Sequence, residues 1–295
     1  MLAVAASSVG CANRSDSASS RPRVVVSFAP LAWAAEAIGG DAIDVVDLTP
    51  PGVEPHDLEL APSQIAAVGD ADLVIVLGGG FQPAVEDAAA DALVLMDQLD
   101  LDSHAEDDGH VDDEDHDHGG VDPHVWLDPI LMQHVVEIMA VEIAARVPDS
   151  AEEVAANADA LVAELAMLDE EARVALDRCA RRELVTAHDA FGRLAGRYGL
   201  RAIPIAGISP DVEPSPARLA EIAELVRDYG VTTIFAETLV SPEIAETLAD
   251  EAGGLTIARL DPIEGFTDAQ RDSGVTYLDV MRDNLASIAV GLDCT

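Results

Sequence analysis

Three histidines of this chain stand where a parallel α/β fold would place the ligands of a metal ion. His56, His124 and His188 each lie at a junction between a strand-like and a helix-like segment. Asp261 ends the last strand-like segment in the same way. Open parallel sheets bind ligands outside the carboxyl ends of their strands, so these four side chains could converge. Three neutral imidazoles and one carboxylate can fill a tetrahedral shell, and imidazole nitrogen suits zinc.

Two further residues have to be weighed beside these four. Glu237 ends another strand-like segment and could itself be a ligand, or it could orient an imidazole or bind water. We interpret it in the second way. His134 lies inside the helical segment that follows Pro129, which favours a structural or surface role.

The elements that must position these side chains can be read from the apolar segments. These segments are continuous rather than alternating in polarity, which is typical of parallel strands covered on both faces. They comprise residues 24–28, 43–48, 73–77, 92–96, 184–187, 202–205, 233–236 and 255–260. Helical patterns follow them, so the sequence predicts two α/β units of about four strands each.

A long helix is predicted between the two units. Residues 150–182 contain neither glycine nor proline, and apolar residues recur there at helical spacing with acids between them. Ser150 followed by Glu153 suits a capping box at its start. About 30 residues at 1.5 Å each give a helix of about 45 Å, which would connect the two units stiffly.

The charge of the chain excludes some partners without identifying one. The 56 acidic residues face only 16 basic ones, all of them arginine, for a formal net charge of −40. Such a field repels nucleic acid and other polyanions. A hydrophobic content of 49% and a mean hydropathy of +0.19 are ample for a buried core, which argues against a disordered chain. Most of the acids are therefore expected on a hydrated, salt-tolerant surface.

Residues 101–120 combine acids with histidines. The stretch from Asp100 to Gly120 holds 10 acids and no arginine. Its histidines are His104, His110, His116 and His118. One interpretation is a weak zinc-collecting site that uses pairs of these imidazoles. The alternative is a solvated insertion, because such charge density cannot fold alone.

The N-terminus and the cysteines suggest an exported protein. An apolar start that runs into Ser8, Val9, Gly10 and Cys11 resembles the end of a bacterial lipoprotein signal, whose cysteine is lipidated after cleavage. The alternative is a frayed terminus of small residues. Apart from Cys11, the chain has Cys179 and Cys294. Two such cysteines in an exported protein often pair, although buried free thiols remain the alternative.

Several motifs follow one another in an order that resembles a known family. They comprise residues 52–56 with 63–64, then 122–129, 186–192, 213–216, 234–237, 260–265 and 281–285. With these motifs, the chain from about residue 23 to residue 292 resembles the zinc- and manganese-binding solute-binding proteins of bacterial metal ABC importers, and above all their zinc-uptake branch. The resemblance implies an α/β fold of two (β/α)4-like lobes with parallel sheets, joined by a long backbone helix, with the metal in the interlobe cleft.

The resemblance also implies how the chain is divided. Residues 1–22 would be a lipoprotein signal remnant and linker, and residues 23–148 the N-terminal lobe with the acidic loop at 101–120. Residues 149–182 would form the linking helix, and residues 183–293 the C-terminal lobe.

Individual roles follow from the same resemblance. His56 and His124 match the ligands of the N-terminal lobe, and Asp261 matches the carboxylate of the C-terminal lobe. His188 matches a ligand that looks like glutamate in manganese-binding members, so an imidazole there favours Zn2+ over Mn2+. The implied protein is a monomeric, extracytoplasmic binding protein, not an enzyme. It would be lipid-anchored to the cell membrane and would deliver zinc to an ABC permease.

Two other functions are compatible with a histidine site. An extracellular zinc hydrolase would need an open metal position and a general base, for which Glu237 or Glu54 could be considered. The chain contains neither an HExxH motif nor a Gly-x-Ser-x-Gly motif, and Asp261 would close the shell. An adhesin-like surface lipoprotein would use the same metal site and cannot be separated by sequence.

Overall fold

Two parallel sheets form the framework of the protein. The computed structural model describes residues 21–101, 121–210, 214–238 and 243–295. In these residues the first sheet has the strand order β2-β1-β3-β4 and the second the equivalent order β6-β5-β7-β8. The strands are β1 (Arg23–Val26), β2 (Asp44–Asp47), β3 (Leu73–Val76), β4 (Leu93–Val94), β5 (Glu183–Thr186), β6 (Arg201–Pro204), β7 (Thr233–Glu237) and β8 (Thr256–Leu260).

The strands form where the continuous apolar segments predicted them. All eight agree with the predicted bounds to within two residues at either end. The central strands are buried on both faces: Val24, Val25 and Val26 of β1 are fully buried, and every residue of β7 is buried. Every strand pair is parallel, as the crossover pattern required.

Helices cover the faces of both sheets and connect their strands. In the described residues they are α1 (Ala29–Gly39), α2 (Pro62–Gly69), α3 (Pro83–Ala88), α4 (Pro129–Arg146), α5 (Ala151–Leu176), α6 (Gly192–Arg197), α7 (Pro216–Asp228), α8 (Glu243–Glu251), α9 (Asp268–Ser273) and α10 (Tyr277–Gly291). None of them is both long enough and apolar enough to cross a membrane.

The long helix α5 links the two halves of the molecule. It packs against α1 and α4 from the first half and against α10 from the second. Its apolar stripe, which includes Val154, Leu161 and Leu165, is buried in the core that the two halves share. The fold class is therefore confirmed: two parallel α/β sheets with flanking helices and a long connecting helix.

Two details of the predicted helix are wrong. The helix has 26 residues, about 39 Å, and ends at Leu176 rather than near residue 182. Beyond this end the guanidinium of Arg182 turns back and donates from its Nη1 and Nη2 to the carbonyl oxygens of Leu176 and Asp177, at 3.1 and 2.7 Å, which satisfies carbonyl groups that a helix end leaves unpaired. At the other end, Ser150 closes a short 3-10 turn and its hydroxyl makes no capping hydrogen bond, so the expected capping box is absent.

A disulfide joins the end of the long helix to the end of the chain. Cys179 and Cys294 are bonded, 115 residues apart in sequence. The two residues also form an isolated antiparallel bridge between the segments that follow α5 and α10. The pairing of these two cysteines is confirmed, whereas Cys11 lies outside the described residues.

Candidate metal centre

Three imidazoles and one carboxylate converge between the two sheets. The side chains are those of His56, His124, His188 and Glu264, whose potential donor atoms all lie within 4.8 Å of one another. Oε1 of Glu264 is the common point: it lies 3.1 Å from Nε2 of His188, 3.4 Å from Nε2 of His124 and 3.5 Å from Nε2 of His56. His124, His188 and Glu264 are fully buried, and the His56 side chain is 6% exposed.

These distances fit a small tetrahedral cation. Zinc bonds of about 2.0–2.1 Å to nitrogen and oxygen imply about 3.3 Å between neighbouring donor atoms. The described residues also offer no hydrogen-bond partner to three buried atoms of the group: Nε2 of His56, Nε2 of His124 and Oε2 of Glu264. Buried polar atoms without partners are rare, because the loss of hydration is not offset. A cation bound at this point would satisfy all three.

Each member of the group lies on a loop at a sheet edge. His56 belongs to the loop after β2, and its ring packs edge-on against Phe81 with the ring centroids 4.6 Å apart. His124 immediately precedes a short 3-10 turn, Val125–Leu127. His188 follows β5 by two residues, and Glu264 follows β8 by four. The carboxyl ends of the strands therefore bring the group together.

His124 is oriented by Asp122. Oδ1 of Asp122 accepts hydrogen bonds from the His124 backbone amide at 2.9 Å and from its Nδ1 at 2.7 Å. With Nδ1 occupied in this way, Nε2 is the nitrogen that faces Glu264. Burial alone would raise the pKa of Asp122, but the hydrogen bond and the charge of His124 outweigh it and lower that pKa.

Glu237 orients the ring of His188 in the same way. Its Oε1 accepts from the His188 backbone amide at 3.0 Å, and its Oε2 forms a short hydrogen bond with Nδ1 of the ring. The hydroxyl of Thr186 donates to the carbonyl oxygen of His188 at 2.8 Å and fixes the turn. Glu237 thus touches the imidazole rather than joining the group.

The electrostatics of the group favour a cation. Burial lowers the pKa of His188, but the carboxylates of Glu264 and Glu237 outweigh it and raise that pKa well above its ordinary value. The pKa of His124 is also raised against the effect of burial, by Asp122 and Glu264. Burial likewise raises the pKa of Glu264, yet the neighbouring imidazoles hold it well below its usual range. Positive charge is therefore stabilised here, whether a proton or a metal ion carries it.

The structure corrects one of the four predicted ligands. Asp261 does not join the group; its Oδ1 accepts from the backbone amide of Ile263 at 2.9 Å and its Oδ2 from Nε2 of Gln270 at 2.9 Å. Glu264, three residues further along the same loop, supplies the carboxylate instead. The sequence did not identify Glu264, because both acids follow β8. The residues of the loop do not show which of the two side chains faces the imidazoles.

Among the described residues, His134 does not reach the group. His134 lies on the surface of α4, where its Nδ1 pairs with Oε2 of Glu137 at 3.1 Å, as expected of a surface residue. The histidines of the acidic segment fall outside the residues that the structure describes: His104, His110, His116 and His118.

Contacts between the two halves close the cleft around the group. Nε1 of Trp126 donates to the carbonyl oxygen of Pro262 at 2.7 Å. The backbone amide of Gly52 donates to the carbonyl oxygen of Phe266 at 3.1 Å. Pro262 and Phe266 flank Glu264, so the loop that carries this carboxylate is held from the opposite lobe on both sides.

The family of the chain follows from comparison with known proteins. The family model of the zinc-uptake complex component A, periplasmic (ZnuA), matches residues 24–291. The chain belongs to the ZnuA family. Among curated members, the high-affinity zinc uptake system protein ZnuA of Bacillus subtilis (strain 168) is 35% identical over 298 residues, covering 98% of this chain and 93% of that protein.

The chain is also similar to two streptococcal proteins, AdcA and Lmb. The zinc-binding lipoprotein AdcA of Streptococcus pneumoniae is 33% identical over 95% of this chain, which spans only 57% of AdcA. A crystal structure of Zn(II)-bound AdcA from that organism matches with a TM-score of 0.76 at 30% identity, over 92% of this chain and 58% of the other. The laminin-binding protein Lmb of Streptococcus agalactiae, described as having adhesin and metal transporting activity, matches with a TM-score of 0.79 at 30% identity, over 92% of this chain and 99% of Lmb.

Proposed function

We propose that this ZnuA-family protein binds Zn2+ outside the cytoplasm and delivers it to the permease of an ABC importer. The observation that carries the proposal is the convergence of three Nε2 atoms on Oε1 of Glu264, at distances of 3.1–3.5 Å inside a buried cleft. His56, His124, His188 and Glu264 would be the ligands. The transported ion is then enclosed by both lobes.

The donor set favours zinc over manganese. Three imidazole nitrogens and one carboxylate match the tetrahedral preference of Zn2+, whereas Mn2+ favours six oxygen-rich positions. Asp122 and Glu237 hold two of the imidazoles by Nδ1, which fixes the ring orientation that a tetrahedral ion needs.

The same arrangement supports capture and delivery rather than hydrolysis. A catalytic zinc keeps one position open for water or substrate. Here the carboxylate of Glu264 occupies the fourth position, and the group is almost inaccessible to solvent. Release of the ion would then require the lobes to separate, which docking on a permease can bring about.

The decisive experiment is metal analysis of the purified protein with a zinc-versus-manganese competition titration. We expect one tightly bound zinc and weak competition by manganese. His188→Ala should lose tight zinc binding and zinc uptake, whereas His134→Ala, which removes an exposed imidazole, should keep both. Preference for manganese, or hydrolytic activity of the zinc-loaded protein, would contradict the proposal.

A lipid anchor at Cys11 completes the proposed location. The support is the sequence before Cys11 and the description of AdcA as a lipoprotein. A single acyl chain holds a membrane only marginally, so the anchor would carry more than one. Membrane fractionation of cells that express Cys11→Ser tests this: the variant should leave the membrane fraction, and continued sedimentation with membranes would refute the anchor.

Adhesion is a second candidate function, favoured by the similarity to Lmb. Binding of the zinc-loaded protein to immobilised laminin, with serum albumin as the control surface, would test it. Saturable binding to laminin alone would support this second function, and equal signals on both surfaces would eliminate it.

A further inference from the structure

The loop that carries Glu264 has an unusual backbone. Ile263, directly before this ligand, has a φ of 57°. This left-handed region is costly for any residue other than glycine and especially for a β-branched one. The Ile263 side chain is nevertheless fully buried in the main core. Something in the structure must therefore hold the loop in this conformation.

The carboxylate of Asp261 provides one restraint. Its Oδ1 accepts from the backbone amide of Ile263 at 2.9 Å, which closes the turn around the left-handed residue. Its Oδ2 accepts from Nε2 of Gln270 at 2.9 Å. Oε1 of Gln270 also accepts from the backbone amide of Thr267 at 2.9 Å, so the carboxylate ties the turn to the first turn of α9.

Asn284 fixes the position of Asp261 itself. The backbone amide of Asp261 donates to Oδ1 of Asn284 at 2.9 Å, and Nδ2 of Asn284 donates back to the Asp261 carbonyl oxygen at 2.7 Å. Asn284 is buried on α10. Asp261 is thus anchored by its main chain to one helix and by its side chain to another.

We propose that Asp261 is a positioning residue for zinc binding: it holds Ile263 in the left-handed conformation and thereby places the carboxylate of Glu264 against the three imidazoles. It does this without coordinating the ion. Both of its oxygens accept hydrogen bonds from the protein, whereas Oε2 of Glu264 is buried without a partner among the described residues. The inference rests on the proposed function, because it concerns the same zinc site.

A pair of substitutions separates positioning from coordination. Asp261→Ala removes every hydrogen bond that the carboxylate accepts, including those from Ile263 and Gln270. Asp261→Asn combined with Gln270→Glu reverses the side-chain pair: the amide oxygen still accepts from the Ile263 amide, and its nitrogen donates to the new carboxylate. The formal charge of the pair is unchanged. Asp283→Asn, which alters an exposed acid beside Asn284 on α10, is the matched control.

Two measurements are needed on each full-length variant. Zinc affinity is obtained by competition with a chromophoric chelator, and the donor set by the visible absorption of the Co2+-loaded protein. We expect Asp261→Ala to weaken zinc binding about 10–100-fold, as loss of a residue that orients a metal ligand does. The paired variant and Asp283→Asn should stay close to the parent. The Co2+ spectrum should remain that of a four-coordinate site in every one of them and change in Glu264→Gln.

The outcomes decide between the two roles. Unchanged zinc affinity in Asp261→Ala would overturn the inference, as would a paired variant that is as weak as Asp261→Ala or shows the Co2+ spectrum of Glu264→Gln. If Asp261→Ala fails to fold, Asp261→Asn takes its place, because its amide cannot accept from both the Ile263 amide and Nε2 of Gln270; it should weaken zinc binding and the paired variant should restore it, and parent-like affinity of Asp261→Asn would overturn the inference. Failure of the parent protein to bind zinc would instead refute the proposed function.

Discussion

The guanidinium of Arg193 donates from Nε to the carbonyl oxygen of Asp122 at 3.0 Å and so joins the two halves of the molecule beside the metal centre. Arg193 lies on α6, five residues after His188. The side chain of Asp122 accepts from Nδ1 of His124. One contact therefore connects the segments that carry two of the proposed ligands, His124 and His188.

The first prediction concerns the side-chain carboxylate of Asp122, which accepts from Nδ1 of His124. Asp122→Ala should lower zinc affinity about 10–100-fold, because His124 loses the hydrogen bond that fixes its ring. Competition with a chromophoric chelator measures the change. Asp97→Ala, which removes an exposed carboxylate from the same lobe, should leave the affinity unaltered. Equal affinities for Asp122→Ala and the parent would show that His124 is held by other contacts.

The second prediction is that zinc binding releases protons at neutral pH. The carboxylates of Glu264 and Glu237 outweigh burial and raise the pKa of His188 well above its ordinary 6.5, and the pKa of His124 is raised as well. A ligand imidazole must lose its proton before it binds the metal. Zinc affinity should therefore fall as the pH decreases, beginning above pH 6.5. Calorimetry in buffers of different ionisation enthalpy measures the released protons, and their absence at pH 7 would contradict the raised pKa values of His188 and His124.

The same raised pKa values contribute to the pH dependence of the stability of the metal-free protein. A histidine whose pKa is higher in the folded state stabilises the fold fully below its unfolded pKa of 6.5, and this contribution is lost as the pH rises through the folded pKa. Thermal unfolding with a chelator should therefore show the midpoint decreasing over that range. The zinc-loaded protein should not follow this decrease, because the ion replaces the proton.

The fold could be predicted from the sequence more completely than the ends of its elements. Continuous apolar segments located all eight strands, because burial on both faces imposes that pattern. The end of α5 could not be predicted, because residues 177–182 contain no glycine or proline and the contacts of Arg182 with the carbonyl oxygens of Leu176 and Asp177 cannot be read from the sequence. Ser150 likewise does not cap α5, since it belongs to the preceding 3-10 turn. The sequence does not predict that turn.

In the metal centre, the histidines could be predicted and the carboxylate could not. His56, His124 and His188 stand at positions that the sheet topology brings together. The choice between Asp261 and Glu264 depends on the left-handed backbone of Ile263, and no local preference of an isoleucine predicts that conformation. Tertiary packing and the hydrogen bonds of Asp261 determine it.

The third prediction concerns the disulfide. Cys179→Ser together with Cys294→Ser should reduce the free energy of unfolding by about 2–4 kcal/mol, because the cross-link closes a long loop of the unfolded chain. Urea unfolding of the metal-free protein measures this. Zinc affinity should be retained, since neither cysteine belongs to the metal-ligand group. A large loss of zinc affinity would instead show that the disulfide supports the cleft.

The fourth prediction tests the acidic segment. Deletion of residues 102–118 should leave the tight zinc site intact, because its four side chains lie elsewhere in the chain. Calorimetry should show that weak additional zinc binding disappears with the histidines of the segment. Unchanged stoichiometry would mean that the segment collects no zinc.

The last prediction concerns Asp47 and Arg271, which pair across the two halves at 3.1 Å. Burial raises the pKa of Asp47 from its ordinary 3.8 to about 6, although the Thr49 amide and the Arg271 guanidinium both lower it. Protonated Asp47 therefore stabilises the fold, and this contribution is lost as the pH rises through about 6. Arg271→Gln removes one of the contacts that lower the pKa of Asp47, so this pKa should rise further. The stabilisation by protonated Asp47 should then be lost at a higher pH. Because the Arg271 side chain is 43% exposed, the ion pair itself should contribute less than about 1 kcal/mol. A carboxyl carbon NMR titration of Asp47 measures the change, and a pKa that stays at or below about 6 in the variant would contradict it.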